Sequence, residues 1–130
     1  MAERITLEVP ATVNALSTIR TVLGGLGARL DFSLDDLEDI YLATGELFRT
    51  ALQDDSLDRL SVEVEVADGE LRLAAGAFSS PELRSEVTVH EESCLDLCML
   101  LRSTVDEVEV EDTGASYRVV LVKRRAGESP

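Results

Sequence analysis

Apolar and polar positions repeat along this chain with two different periods, and the switches between them outline its elements. Ile5-Thr6-Leu7-Glu8-Val9 alternates and stops at Pro10, which predicts a strand. Val13, Leu16, Ile19, Val22, Leu23 and Leu26 then recur at helical spacing, with Asn14 as candidate cap. Gly24, Gly25 and Gly27 are expected to loosen that helix and then end it. From Phe32 to Gln53 the helical period is clearest. Leu37, Ile40, Tyr41, Thr44, Leu47, Phe48, Ala51 and Leu52 form the core-facing stripe, and Asp39, Leu42, Glu46, Arg49, Thr50 and Gln53 form a narrower second face. Ser33 followed by Asp36 gives a near capping box, and Phe32 with Leu37 a hydrophobic staple.

Alternation returns at Arg59 to Ala67, where Leu60, Val62, Val64 and Val66 oppose Ser61, Glu63 and Glu65. Asp68-Gly69 is a two-residue hairpin signal, and Leu71-Arg72-Leu73 continues as the partner strand. The stretch 76–92 has no clear period. Ser93-Cys94-Leu95-Asp96 repeats the capping pattern and predicts a third helix to about Thr104. Two more alternating runs, Glu107 to Glu111 and Ser116 to Lys123, flank a turn at residues 112–115, and the chain from Arg124 to Pro130 is expected to fray. The order β-α-α-β-β-loop-α-β-β predicts a two-layer α/β sandwich: a mostly antiparallel mixed sheet covered on one face by three helices. One domain over residues 1–125 with a flexible tail at 126–130 accounts for the 130 residues.

Composition sharpens the picture in two respects. A hydrophobic content of 45% and a mean hydropathy of +0.05 require a folded core, built mostly of Leu, Val and Ala because only 4% of residues are aromatic. The balance of 12 basic against 26 acidic residues, net −14, argues against nucleic acid or an anionic membrane as ligand and favours a basic protein partner. The same charge also serves as a plain solubility device. No secretory segment or membrane span is visible and the two Cys read as free thiols, so a cytoplasmic location is expected.

The central helix carries a further pattern: Asp36-Leu37-Glu38-Asp39-Ile40, then Ala43, Glu46, Ala51 and Gln53. This resembles the N-box helix of the anti-sigma-factor serine kinases, members of the GHKL (Bergerat-fold) ATPase superfamily. The resemblance implies a GHKL-type sandwich over nearly the whole chain, in agreement with the element order. It implies that Glu46 stands at the general-base position and Thr50 at the position of the family's magnesium-binding Asn. It also matches Arg20, in Ile19-Arg20-Thr21-Val22, to an arginine that contacts protein partners in sporulation-type members. Family members bind a sigma factor and switch to an anti-anti-sigma partner. A homodimer is a further expectation.

Such relatives handle ATP with a carboxylate base, an adenine acceptor in an Asp-x-Gly motif and a glycine-rich phosphate loop. Here Ala77-Phe78-Ser79 takes the Asp-x-Gly place, and no Asp occurs between Asp68 and Asp96. No Gly occurs between Gly76 and Gly114, and Asp96 puts a carboxylate where phosphates would sit. The expected site is therefore degenerate, with Glu46 vestigial, Thr50 filling space and no cofactor held. An active Mg-ATP-dependent serine-protein kinase built around Glu46 is the enzymatic alternative, and an acidic module for some other basic protein a third. With the nucleotide gone, Phe78 and a downstream valine are expected to fold inward near Leu42 and Glu46, and the third helix to close the gap.

His90, Cys94 and Cys98 have a spacing that could hold a soft metal only if one helix carried all three. The cap at Ser93 excludes His90 from that helix, so buried cysteines beside Leu97 and Leu101 are expected and no metal. Lys123-Arg124-Arg125 reads as an edge or fraying device rather than a binding patch.

Overall fold

A computed structural model describes residues 3–88 and 96–125. In chain order they form β1 (Glu3–Pro10), α1 (Val13–Arg29), α2 (Leu34–Ala51), β2 (Arg59–Ala67), β3 (Glu70–Phe78), α3 (Pro81–Thr88), α4 (Leu97–Thr104), β4 (Glu107–Asp112) and β5 (Tyr117–Arg124). The five strands make one sheet in the order β1-β2-β3-β5-β4. Every neighbouring pair is antiparallel, so the expected mixed sheet is in fact uniform. The hairpin at Asp68-Gly69 forms as read: Ala67 opposes Glu70, and both turn residues have positive φ, 52° at Asp68 and 76° at Gly69. That is the left-handed geometry a two-residue turn needs to match strand twist.

One face of the sheet is the core wall. Val62, Val64, Leu71, Leu73, Ala75, Val119 and Leu121 all point to it and are almost wholly buried. Against this wall α2 lays the stripe that its sequence specifies, with Ala43, Leu47 and Phe48 fully excluded from solvent. Its start is fixed by a complete capping box: the Asp36 amide donates to Ser33 Oγ and the Ser33 amide donates to Asp36 Oδ2, both at 3.1 Å.

The first helix departs from expectation at both ends. Its cap is Thr12, whose side chain makes no capping bond, so Asn14 lies inside the first turn. The glycines do not end it, since α1 runs on to Arg29. They serve close approach instead. A Cβ on Gly24 would stand 2.6 Å from the Tyr41 hydroxyl, and one on Gly27 would collide with Leu37 Cδ2. The missing side chains therefore let α1 and α2 lie against each other.

Among the described residues four helices, not three, accompany the sheet. The stretch without a clear period contains α3, whose Leu83 and Val87 are buried and whose first turn is capped by Ser80 Oγ, accepting from the Leu83 amide at 3.2 Å. Its short length hides the period: one buried residue per turn over two turns is too little pattern to read. The helix is tied to the sheet by Arg84, which donates to both oxygens of Asp112 (2.7 and 3.3 Å), and by the Tyr117 hydroxyl, which donates to the Ser80 carbonyl. The proposed cap at Ser93 lies outside the described residues. The described part of α4 begins at Leu97, with Asp96 as its cap accepting from the Met99 amide at 2.8 Å.

The opposite face of the sheet carries a small apolar patch, Ala74, Val120 and Val122, beneath a lattice of charges. Arg4 pairs with Glu65 at 2.8 Å, Arg72 with Glu111 at 3.3 Å, and Arg118 also with Glu111. Arg124 pairs with Glu107 across the β4–β5 ladder. The last basic run is not a fraying device. Lys123 is mostly buried, the Arg124 amide donates to Asp106 Oδ2 at 2.6 Å, and the Arg125 amide donates to the Gly69 carbonyl at 2.9 Å. No helix among the described residues is long and apolar enough to cross a membrane.

Candidate functional site

The second face of α2 looks away from the sheet, and Leu42, Glu46 and Thr50 follow one another along it at four-residue intervals. Opposite them stands α4, which presents Leu97, Met99, Leu100, Ser103 and Thr104. Glu86 of α3 and the capping Asp96 close the ring. These ten residues enclose an open cleft of about 580 Å³. The expectation that the gap would be closed is therefore met only in part. Phe78 and Val87 do fold inward and are buried, but Phe78 packs against Tyr117, with ring centres 5.9 Å apart, and not against Leu42. The apolar side chains of α3 go to the core, so nothing from that helix is left to fill the space beside Leu42, which remains 47% exposed.

One ammonium group bridges the two helices that wall the cleft. Lys123, at the end of β5, donates to the Thr104 carbonyl at 3.0 Å and to Asp39 Oδ2 at 3.1 Å, and lies 3.8 Å from Asp36 Oδ1. It thus joins the C-terminal end of α4 to the first turns of α2. The ammonium also sits where the last carbonyls of a helix present partial negative charge, which favours a cation there. The sequence reading placed it in an edge or fraying device; the available signal for a different role was a single Lys in a chain whose other Lys or Arg positions are all Arg.

Within the cleft the two residues of the nucleotide pattern are occupied with each other and with their own helix. Thr50 Oγ1 donates to the Glu46 carbonyl one turn back at 2.9 Å, the local bond a helical Thr makes by default. The Glu46 carboxylate accepts from Arg49 three residues on. The loop end of β3, where the adenine acceptor would be expected, places Ala77 outward and Phe78 in the core. At the other end Asp96 holds the first turn of α4, so the amides a phosphate would seek already face a carboxylate.

Arg20 lies on the far side of α2 from α4. Exposed on α1, its guanidinium stacks over the Tyr41 ring at 4.6 Å. Arg20, Tyr41, Glu38, Gly45 and Arg49 border a shallow depression of about 270 Å³ that shares Leu42 and Glu46 with the cleft. The structure thus brings all three sequence-predicted residues onto one surface, with Arg20 at one margin and Glu46 and Thr50 within. Tyr41, Arg49, Glu86, Met99 and Leu100 complete that surface and carried no separate signal in the sequence.

Of the metal pattern, His90 and Cys94 lie outside the described residues. Cys98 is buried in α4, and its sulfur accepts from Arg102 Nε at 3.2 Å. Among the described residues no three His, Cys, Asp or Glu side chains gather in a way that could hold a metal.

Comparison with known proteins places this arrangement in a lineage. No family model matches the chain. Over 91 residues it is 31% identical to the serine-protein kinase RsbW of Bacillus subtilis (strain 168), an alignment covering 70% of this chain and 51% of that protein. The chain thus spans about half the length of the curated relative it matches. Among solved structures it superposes on the crystal structure of the RsbU and RsbW domains of Rv1364c from Mycobacterium tuberculosis, with a TM-score of 0.67 and 20% identity. That superposition covers 94% of this chain and 32% of the other.

Proposed function

Because this chain belongs to the anti-sigma-factor and serine-kinase family that includes RsbW, we propose that it is an anti-sigma-type transcription regulator whose nucleotide site has lost its chemistry. The observation that carries the second half is the bonding inside the cleft. The hydroxyl at the metal-ligand position is spent on the Glu46 carbonyl, the candidate base is neutralised by Arg49, and a carboxylate stands at the head of α4. A magnesium-bound polyphosphate brings strong negative charge and needs close backbone approach, and among the described residues that line the cleft there is no Lys, Arg or glycine.

In this reading the partner is a sigma factor, gripped on the face bordered by Arg20, with an anti-anti-sigma protein as competitor. The acidic chain steers itself onto the basic surface of a DNA-binding protein, which raises the association rate. A cytoplasmic location follows from such a partner. Capture of the tagged protein from its native host, with the bound proteins identified, tests this directly. Recovery of a sigma factor that is lost on Arg20→Glu supports the proposal, and recovery of none removes it.

The kinase alternative draws on the cleft itself, which is open and has Glu46 on its wall. Titration with Mg-ATP in a thermal-unfolding experiment decides between the two. A ligand present at 100 times its dissociation constant stabilises by about 2.7 kcal/mol, a rise in melting temperature of several degrees for a domain of this size. No shift is expected here, and a clear one would establish nucleotide binding.

A further inference from the structure

Among the described residues four large hydrophobic side chains are substantially exposed. Val13 and Leu34 open α1 and α2. The other two, Leu42 at 47% and Met99 at 40%, face the same cleft from opposite walls, with Leu97 and Leu100 beside them. Paired exposure of this kind across a cleft of about 580 Å³ is the signature of a surface that something apolar covers.

The charges around that surface narrow what covers it. Glu46, Glu86 and Asp96 line the cleft, and among the described residues no Lys or Arg does. Glu86 makes no ion pair among the described residues. On the open face of the sheet, by contrast, glutamates are matched by Arg4, Arg59, Arg72, Arg118 and Arg124.

We propose that the cleft between α2 and α4 is a docking site for a short amphipathic helix of a protein partner, leucine-bearing on one side and basic on its flanks. A whole helix is about 10–12 Å across with its side chains and does not enter such a space. Two or three of its apolar side chains do, spaced i and i+4 over Leu42 and Met99. Flanking Lys or Arg residues then reach Glu46 and Glu86. Met99 suits this role because an unbranched thioether adapts to the side chain presented to it. The site adjoins the Arg20 face, sharing Leu42 and Glu46 with it, and takes its opposite wall from α4.

The test uses the full chain and a fluorescent 18-residue amphipathic helix made of Leu and Lys, followed by anisotropy. Replacing the apolar pair (Leu42→Ser with Met99→Ser) and reversing the rim charge (Glu86→Lys) should each weaken binding at least tenfold. All three positions are exposed or half-exposed, so the fold tolerates them, and an unchanged unfolding curve verifies it. Glu109→Lys, on exposed β4 at the far edge of the sheet, should change affinity less than twofold. A peptide of the same composition with its leucines scattered should bind at least tenfold more weakly. Equal binding by the scattered peptide, equal losses at Glu109 and Glu86, or no effect from the paired serines would each reduce the interaction to general charge attraction and overturn the proposal. Displacement of the peptide by Mg-ATP would overturn it by making the cleft a nucleotide site.

Discussion

Thr50 and Glu46 are one helical turn apart, and their bonds set what each can do. An exposed pair such as Glu46–Arg49 contributes little to stability, so Glu46→Gln should change the unfolding free energy by less than about 0.5 kcal/mol. On the proposed reading it should also leave partner release intact, because a cleft that holds no nucleotide gives the carboxylate nothing to activate. Loss of partner release in a reconstituted binding assay would make Glu46 catalytic. Lys123 is the opposite case. Asp36 is 2% exposed, accepts from the Ser33 amide and lies 3.8 Å from this ammonium, which also donates to Asp39 and to the Thr104 carbonyl. Lys123→Met removes these contacts from a mostly buried setting and should cost about 3 kcal/mol, read from a urea unfolding curve. Because the same ammonium ties α4 to α2, the variant should also change the peptide affinity of the cleft. A variant as stable as the parent would show that the ion pair contributes only specificity.

At the level of elements the seam between α1 and α2 makes a sharp contrast available. Gly25 faces open space, so Gly25→Ala gains the helix propensity of alanine and should stabilise by about 1 kcal/mol. Gly27 is buried with Leu37 directly over it, and Gly27→Ala should destabilise by about 1–3 kcal/mol through overpacking. Paired thermal melts of the two variants check this, and melting temperatures moving the same way would mean that the helices are not in close contact there. The same glycines show why the sequence was only partly legible. Long elements with many repeats of one period could be read: α2, the β2–β3 hairpin and β5 lie close to where periodicity places them. Glycine in a helix carries two meanings, an end or a close approach, and the choice depends on Leu37 and Tyr41, which are remote in sequence. α3 was missed because it is short, although Ser80 followed by Pro81 and Glu82 is a helix-start signal that the sequence offered. In the site, Glu46 and Thr50 were legible only through the resemblance to the N-box helix, whereas the bonds that occupy them arise from rotamers and from Arg49. The link from Lys123 to Asp39 and Thr104 joins three elements, and no local pattern contains it.

Across the whole molecule acidic residues outnumber basic ones by 26 to 12, and solution conditions should expose this. If acidic steering assists the encounter with a basic partner, its rate should fall steeply with added salt, since exposed charges are screened over about 8 Å at physiological ionic strength. A flat rate between low and high salt in stopped-flow mixing would remove steering from the account. Acid should act on the tether of α3. The Arg84 guanidinium, bonded to Asp112, holds that carboxyl below its ordinary value of 3.8. A carboxyl lowered in the folded state adds stability that is complete above the unfolded value and lost as pH falls through the folded one. Asp112→Asn should therefore flatten the acid limb of the stability curve below about pH 4, with little change in slope near neutrality. One consequence of the topology concerns time rather than energy. β1 pairs with β2 only after the chain has passed through the whole of α1 and α2. The β2–β3 hairpin and the helix pair are local, whereas docking β1 closes a long loop and bears its entropy. That strand should join late: Leu7→Ala is expected to speed unfolding far more than it slows refolding, whereas Leu73→Ala, in the hairpin, should slow refolding. A newly made chain would thus hold its first strand unpaired until β2 emerges, exposing an aggregation-prone edge during synthesis.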